Sequence, residues 1–168
     1  MPAPNTAGVK GACTTYASPV GDLLIAALPE GLCGVFFQGE GGRGDLARRF
    51  PGVEWERAAL PGVSRALDAY FRGESRRFDI PCALSGSPFE LRVWEALRAI
   101  PYGETRTYGS IAAELGTSAR AVGGACGRNP ISIVVPCHRV VGRDGALTGY
   151  GGGLAAKRFL LELERRWL

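Results

Sequence analysis

The sequence predicts an α/β (α+β) chain in two parts: a small N-terminal sheet-plus-helix domain, then a C-terminal helical domain of winged helix-turn-helix-like character. Three observations predict it. Short β-type runs separated by turn residues fill residues 14–37. A stretch carrying Ser, Gly and Pro at 81–88 is followed by a change to helical periodicity. Two short helical segments are then joined by the turn Gly116-Thr117-Ser118, with a hairpin signal downstream. A length of 168 residues suits two small domains, and the composition shift divides them as 1–82 and 87–168.

In the first part, residues 14–19, 23–27 and 34–37 read as strands, with Val20-Gly21-Asp22 as the first turn. Residues 45–50 read as a short helix, and the Gly-rich patch at 39–44 as a loop. Val63, Leu67, Tyr70 and Phe71 recur at helical spacing.

In the second part, Ser87-Pro88 opens a helix, because Pro at an early position loses no helical hydrogen bond. Its apolar face is Phe89, Val93, Trp94, Leu97 and Ile100, and Pro101-Tyr102-Gly103 ends it. Thr107 caps a helix with Tyr108, Ile111, Ala112 and Leu115 on one face; Ser118 caps the next, over residues 119–128. On pattern alone this pair is either a helix-turn-helix or an ordinary αα-hairpin. Asn129-Pro130 stops it. The apolar run 131–135 reads as a buried strand. Arg143-Asp144-Gly145 reads as a hairpin turn between Val140-Val141 and Ala146-Leu147, which would form the wing. Residues 156–163 make a last helix with Phe159, Leu160 and Leu163 facing the core.

The chain is 46% hydrophobic and 21% charged, which excludes a disordered tail protein. No apolar run approaches the ~20 residues that span a bilayer. The start has one Lys and no apolar h-region, so no signal peptide is expected and the protein is placed in the cytoplasm, away from membranes. Five cysteines without a C-x-x-C pair are expected as reduced thiols. His138 is the single histidine, which leaves little for a zinc site; neither metal nor organic cofactor is expected. The formal charge of +4 lies wholly after residue 86, where eleven basic residues face seven acidic ones. Arg106, Arg120, Arg128, Arg139 and Arg143 stand against Glu114 alone between residues 105 and 143, an excess that suits a polyanionic partner.

The chemistry centres on Cys137, which follows an apolar run and Pro136 and precedes His138 and Arg139. Neighbouring cations or a base favour the reactive thiolate. The plain alternative is a buried thiol beside a surface His. Consecutive strand residues point to opposite faces, so His138 acts on Cys137 only where the backbone bends or a water bridges them. A Cys/His hydrolase would require a separately placed base and multiple turnover. The other four cysteines read as small core hydrophobes.

Pro136-Cys137-His138-Arg139-Val140 resembles the acceptor motif of the O6-alkylguanine-DNA alkyltransferases, the methylated-DNA–protein-cysteine methyltransferases. The resemblance extends over Ser87-Pro88-Phe89, Val93-Trp94-Glu95-Ala96-Leu97, Ile100-Pro101-Tyr102-Gly103-Glu104-Thr105, Ala119-Arg120-Ala121-Val122-Gly123-Gly124-Ala125, Asn129-Pro130 and Gly152-Gly153-Leu154-Ala155. Order and spacing are kept over roughly residues 87–164, and Ser18-Pro19-Val20-Gly21 is similar to a hairpin of the family's first, ribonuclease H-like domain.

The resemblance implies a monomeric DNA-repair protein without a cofactor. It flips O6-alkylguanine, with O4-alkylthymine as a second candidate lesion, out of double-stranded DNA and moves the alkyl group irreversibly to Cys137. His138 and Glu164 match a Cys–water–His–Glu relay; without the resemblance Glu164 is a solvated helix charge. Tyr108 matches the Tyr that protonates the leaving base, and otherwise a half-buried helix Tyr. Asn129 matches a brace between the reading helix and the active-site segment, and otherwise a C-cap. Val140, Tyr150 and Gly151 match the base pocket. Arg120 matches the finger that replaces the flipped base. Ala119, Ala121, Gly123, Gly124 and Arg128 match the DNA-facing helix, the glycines alternatively serving helix packing. Gly151 stands where many bacterial relatives carry Arg.

Overall fold

The computed structural model describes residues 7–38 and 42–168. Residues 1–6, part of the segment read for a signal peptide, and 39–41 of the first Gly-rich patch lie outside the described residues. The chain divides into two compact units, Met1–Ser85 and Gly86–Leu168.

The first unit is a four-stranded sheet with order β3-β2-β1-β4. β1 (Lys10–Ser18), β2 (Gly21–Leu28) and β3 (Gly31–Phe37) form an antiparallel meander. β4 (Glu54–Arg57) pairs parallel with β1. β4 escapes the sequence pattern because its residues, Glu54-Trp55-Glu56-Arg57, are those of a largely exposed edge strand. Leu24, Ala26, Cys13, Cys33 and Phe36 pack on one sheet face with Leu46 and Phe50, which α1 (Gly42–Arg49) brings over it. The other face takes α2 (Pro61–Phe71): Tyr16 donates to Asp68 Oδ1 at 2.6 Å and stacks on Phe71. A central strand covered on both sides is apolar throughout, hence the unbroken Leu23-Leu24-Ile25-Ala26 run, at most 2% exposed. Residues 81–83 run beside β3, Leu32 N donating to the Pro81 carbonyl. Gly31 is obligatory there, because a Cβ would stand 2.4 Å from that carbonyl oxygen.

The second unit opens with α3 (Pro88–Arg98), capped by Ser87 Oγ, which accepts from Glu90 N. Trp94 is fully buried, and its indole donates to the Ala125 carbonyl at 3.0 Å, tying α3 to α5. β5 (Arg106–Thr107) leads into α4 (Tyr108–Leu115), whose left-handed Gly116 cap turns the chain to α5 (Ala119–Gly127). Thr107 and Ser118 cap these two helices as expected.

Two expectations change after α5. Residues 131–135 are buried but form a tight turn rather than a strand: Val135 N returns to the Ile131 carbonyl, and Ile133 adopts φ +73°. Val140–Val141 (β6) takes its partner from β5, in parallel, and not from Ala146-Leu147. Arg143–Gly145 does turn, and Gly142 N closes that loop on the Ala146 carbonyl at 2.7 Å. β6 follows a buried segment and finds an open edge within its own core, which outweighs local hairpin pairing. The last helix, α6 (Leu154–Arg166), buries Ala156, Lys157, Leu160, Leu161, Leu163 and Glu164. Phe159, expected in the core, is 38% exposed, because the buried stripe runs one position away from it. Among the described residues no helix is long and apolar enough to cross a membrane.

Candidate active site

Three segments of the second unit converge on Cys137. Asn129, buried at the end of α5, donates from Nδ2 to the Val135 carbonyl at 2.8 Å and accepts from Ile131 N at 3.0 Å. One side chain thus braces both ends of the tight turn, as expected of a brace, although what it braces is not a strand. The chain then enters a single 3-10 turn, Cys137–Arg139, with Cys137 N bonded back to the Val135 carbonyl. This is the backbone bend that consecutive Cys and His need in order to work together. Both are buried: Cys137 is 7% exposed and His138 0%, so the surface-His alternative does not hold.

α6 supplies the acid. Glu164 Oε2 lies 2.6 Å from His138 Nε2, Oε1 accepts from Arg139 Nε at 2.8 Å and from Gly103 N at 3.1 Å, and the Arg139 fork reaches Oε2 at 3.1 Å. Arg139 also donates to the Ile100 carbonyl and lies over the Tyr102 ring. Burial alone would push the Glu164 carboxyl up, but His138 and Arg139 outweigh it and hold it well below the usual carboxylate range. Burial pushes His138 down, against the pull of Glu164, so the ring is neutral near pH 7. An ionised Glu164 accepts only, so the ring proton sits on Nε2 and the Nδ1 lone pair is left as the base. Nδ1 is buried and has no hydrogen-bond partner among the described residues. Burial raises the Cys137 thiol, while the Asn129 side chain and then Lys157 pull it back down.

Sequence reasoning missed Lys157. It is fully buried on α6, and its Nζ donates to the Thr148 carbonyl at 2.8 Å and lies 3.5 Å from Tyr108 Oη. Its signal was spacing: Lys157 and Glu164 stand seven residues apart with Leu160 and Leu161 between, one stripe of a helix. Tyr108 is half-buried and reaches the Thr148 carbonyl at 3.5 Å; burial raises its pKa, so it keeps its proton. Tyr150 is half-buried, its ring edge-on to His138 at 6.5 Å, and Gly151 beside it is exposed. Val140 is buried and its N–H bonds the Cys137 carbonyl. Among the described residues no three His, Cys, Asp or Glu side chains group as metal ligands.

Ala119 and Arg120 are exposed at the start of α5, and Ala121, Gly123 and Gly124 are half-buried along it. A Cβ on Gly123 would meet only the Tyr108 ring, at 3.9 Å, and one on Gly124 only the end of the Arg128 side chain, at 3.2 Å. Packing within the fold therefore does not demand these glycines, although each costs the helix about 1 kcal/mol relative to Ala. Arg128 is half-exposed, 3.6 Å from Glu90 of α3.

Comparison with known proteins gives one family over nearly the whole chain. Residues 12–84 match the "6-O-methylguanine DNA methyltransferase, ribonuclease-like domain" and residues 88–166 its "DNA binding domain". A methylated-DNA–protein-cysteine methyltransferase of Methanosarcina acetivorans is 49% identical over 152 residues, covering 89% of this chain and 95% of that protein. The Haemophilus influenzae protein of the same name is 45% identical over 90% of this chain and 85% of its own length. The crystal structure of Mycobacterium tuberculosis OGT in complex with DNA superposes with TM-score 0.82 at 45% identity, covering 95% of this chain and 94% of that one.

Proposed function

The chain belongs to the 6-O-methylguanine DNA methyltransferase family in both its domains, and from that premise we propose that it repairs DNA by transferring an alkyl group from O6 of guanine to its own Cys137. The observation that carries the reading is the buried Cys137–His138–Glu164–Arg139 cluster, with His138 Nδ1 left as the open base. The Cys137 proton passes to Nδ1, directly or through one water, and the Glu164 carboxylate steadies the imidazolium. The sulfur then attacks the alkyl carbon, an S–C bond forms and the C–O6 bond breaks. Its electron pair moves into the purine, and the Tyr108 hydroxyl protonates the ring. The alkyl carbon of the resulting thioether is saturated and unactivated and the thiolate is a poor leaving group from it, so one protein accepts one alkyl group.

The partner is duplex DNA. Arg120 on the exposed start of α5 fills the stack, while Gly123 and Gly124 bring the backbone close to the minor groove, with Ala119, Ala121 and Arg128 along the same helix. Val140, Tyr150 and Gly151 line the base pocket. The domains run over residues 1–82 and 87–168, and the protein acts as a monomer in the cytoplasm, where thiols such as Cys13, Cys33, Cys126 and Cys137 stay reduced. The test is incubation with a duplex oligonucleotide carrying a single O6-methylguanine, followed by tryptic mass spectrometry. The expected result is one methyl per protein on the peptide 129–139. Multiple turnover would favour a hydrolase; no gain on that peptide would leave a damage-binding protein. An O4-methylthymine duplex reports the second lesion.

A further inference from the structure

We propose that Gly103 is a positioning residue of the transfer: it turns the Tyr102–Gly103 peptide inward, so that its N–H holds one Glu164 oxygen and keeps the other on His138. The role in transfer rests on the function proposed above; the hold on Glu164 and His138 does not.

The chain leaves α3 through Pro101-Tyr102-Gly103-Glu104, a turn closed by Glu104 N donating to the Pro101 carbonyl at 3.0 Å. Gly103 has φ +79°, and Tyr102 is not among the non-glycine residues with positive φ, so this is a type II turn with Gly in its third place. Type I and type II turns differ in the peptide between their two central residues, which is rotated by about half a turn from one to the other. Here that peptide is Tyr102–Gly103, and its N–H donates to Glu164 Oε1 at 3.1 Å. In a type I turn the Tyr102 carbonyl would take the place of that N–H, setting an acceptor against a fully buried carboxylate. An L side chain at residue 103 disfavours positive φ, so glycine is what keeps the donor inward.

The same stretch also anchors Arg139. The Ile100 carbonyl accepts from Arg139 Nη1 at 2.8 Å, and the guanidinium lies 5.7 Å from the centre of the Tyr102 ring. Glu164 Oε1 therefore takes Gly103 N and Arg139 Nε, while Oε2 takes His138 Nε2 and Arg139 Nη2. Arg139 is a side chain and can move with the carboxylate. The Gly103 N–H is main chain, fixed by its turn, and so sets where the carboxylate sits and whether Oε2 meets His138. Rotating the peptide loosens Oε2 from Nε2, and a neutral ring can then carry its proton on Nδ1, the nitrogen the transfer needs open. A Cβ on Gly103 would also run into the side chain of Leu168, which is 64% exposed, so the test must separate that clash from the direction of the peptide.

The experiment needs no DNA for its first reading, because His138 is the single histidine of the chain. Ring-nitrogen NMR near pH 7 reads which nitrogen of His138 carries the proton. Wild type is compared with Leu168→Ala, Leu168→Ala with Gly103→Ala, and Leu168→Ala with Gly103→Asn. Leu168→Ala removes the side chain that a Cβ would strike, and Asn tolerates positive φ where Ala does not. Wild type, Leu168→Ala and the Asn variant should show the Nε2–H form alone. The Ala variant should show an Nδ1–H form as well, and its methyl transfer should slow about tenfold, part of what a positioned proton acceptor supplies. An Ala variant that keeps the Nε2–H form alone overturns the proposal, whatever its melting temperature, and so does an Asn variant that behaves as the Ala one. If neither Gly103 variant folds, the wild type decides: the Gly103 amide proton should exchange about 100-fold more slowly than in an unstructured peptide, and exchange at the peptide rate overturns the proposal. Wild type that shows the Nε2–H form but takes no methyl from the oligonucleotide strikes the proposed function and leaves the hold on Glu164 standing.

Discussion

Replacing Glu164 by Gln keeps the shape of the side chain and removes its charge. The carboxylate is fully buried and accepts from His138, Gly103 N and twice from Arg139. The substitution leaves Arg139, 7% exposed, without its anion. Breaking a buried pair from one side costs about 3–5 kcal/mol, and at roughly 2–4 °C per kcal/mol for a chain of this size the melting temperature should fall by about 6–20 °C. The Gln amide can also donate to His138 Nε2, which moves the ring proton to Nδ1 and abolishes the base. Methyl transfer should therefore slow by about 100-fold or more, the usual worth of a positioned proton acceptor. The pH dependence has a definite sign. Glu164 is depressed in the folded state, so its stabilisation is present above the unfolded value of about 4.3 and is lost as pH falls. His138 is lowered too, so the unfolded chain gains its proton first and stability declines below about pH 6.5. E164Q should flatten the steeper acid limb below about pH 5. Circular dichroism melts between pH 4 and 8 and single-turnover transfer rates check both halves. A melting temperature within 2 °C of wild type together with an unchanged transfer rate would refute the buried-pair reasoning.

Cys137→Ala should abolish methyl transfer and leave duplex affinity within about twofold, since the residues proposed to bind DNA lie on α5; transfer retained in this variant, read by peptide mass, would move the acceptor elsewhere. Arg120→Ala should slow transfer from duplex DNA by about 10–100-fold and leave transfer from the free methylated base unchanged, because flipping costs a few kcal/mol that only the duplex requires; equal losses on both substrates would argue against the finger. Gly123→Ala should raise stability by about 0.5–1 kcal/mol, since its Cβ would meet only the Tyr108 ring at ordinary contact distance. It should at the same time weaken duplex binding in a gel-shift titration, and unweakened binding would remove this face of α5 from the DNA.

Local chemistry made much of this protein legible without a fold. Caps and breakers act within one turn, so Ser87, Thr107, Gly116 and Ser118 set helix boundaries that the structure reproduces. The motif around Cys137 and the order of motifs along residues 87–164 pointed to the family. Tertiary packing decided the rest. Residues 131–135 are apolar enough for a strand, yet Asn129 fastens them as a turn, and β6 chose an edge 34 residues upstream in place of its neighbour. Without the resemblance Glu164 reads as a solvated helix charge, and Lys157 drew no reading, because helix propensity ignores which side of α6 is covered. Their roles depend on desolvation and on partners drawn from distant parts of the chain, and a linear pattern holds neither quantity. Local pattern set the helix boundaries and singled out Cys137 as the candidate nucleophile; tertiary packing decided the bend that leaves the buried His138 Nδ1 without a hydrogen-bond partner among the described residues and the buried charges that set its proton, because those depend on distance through space.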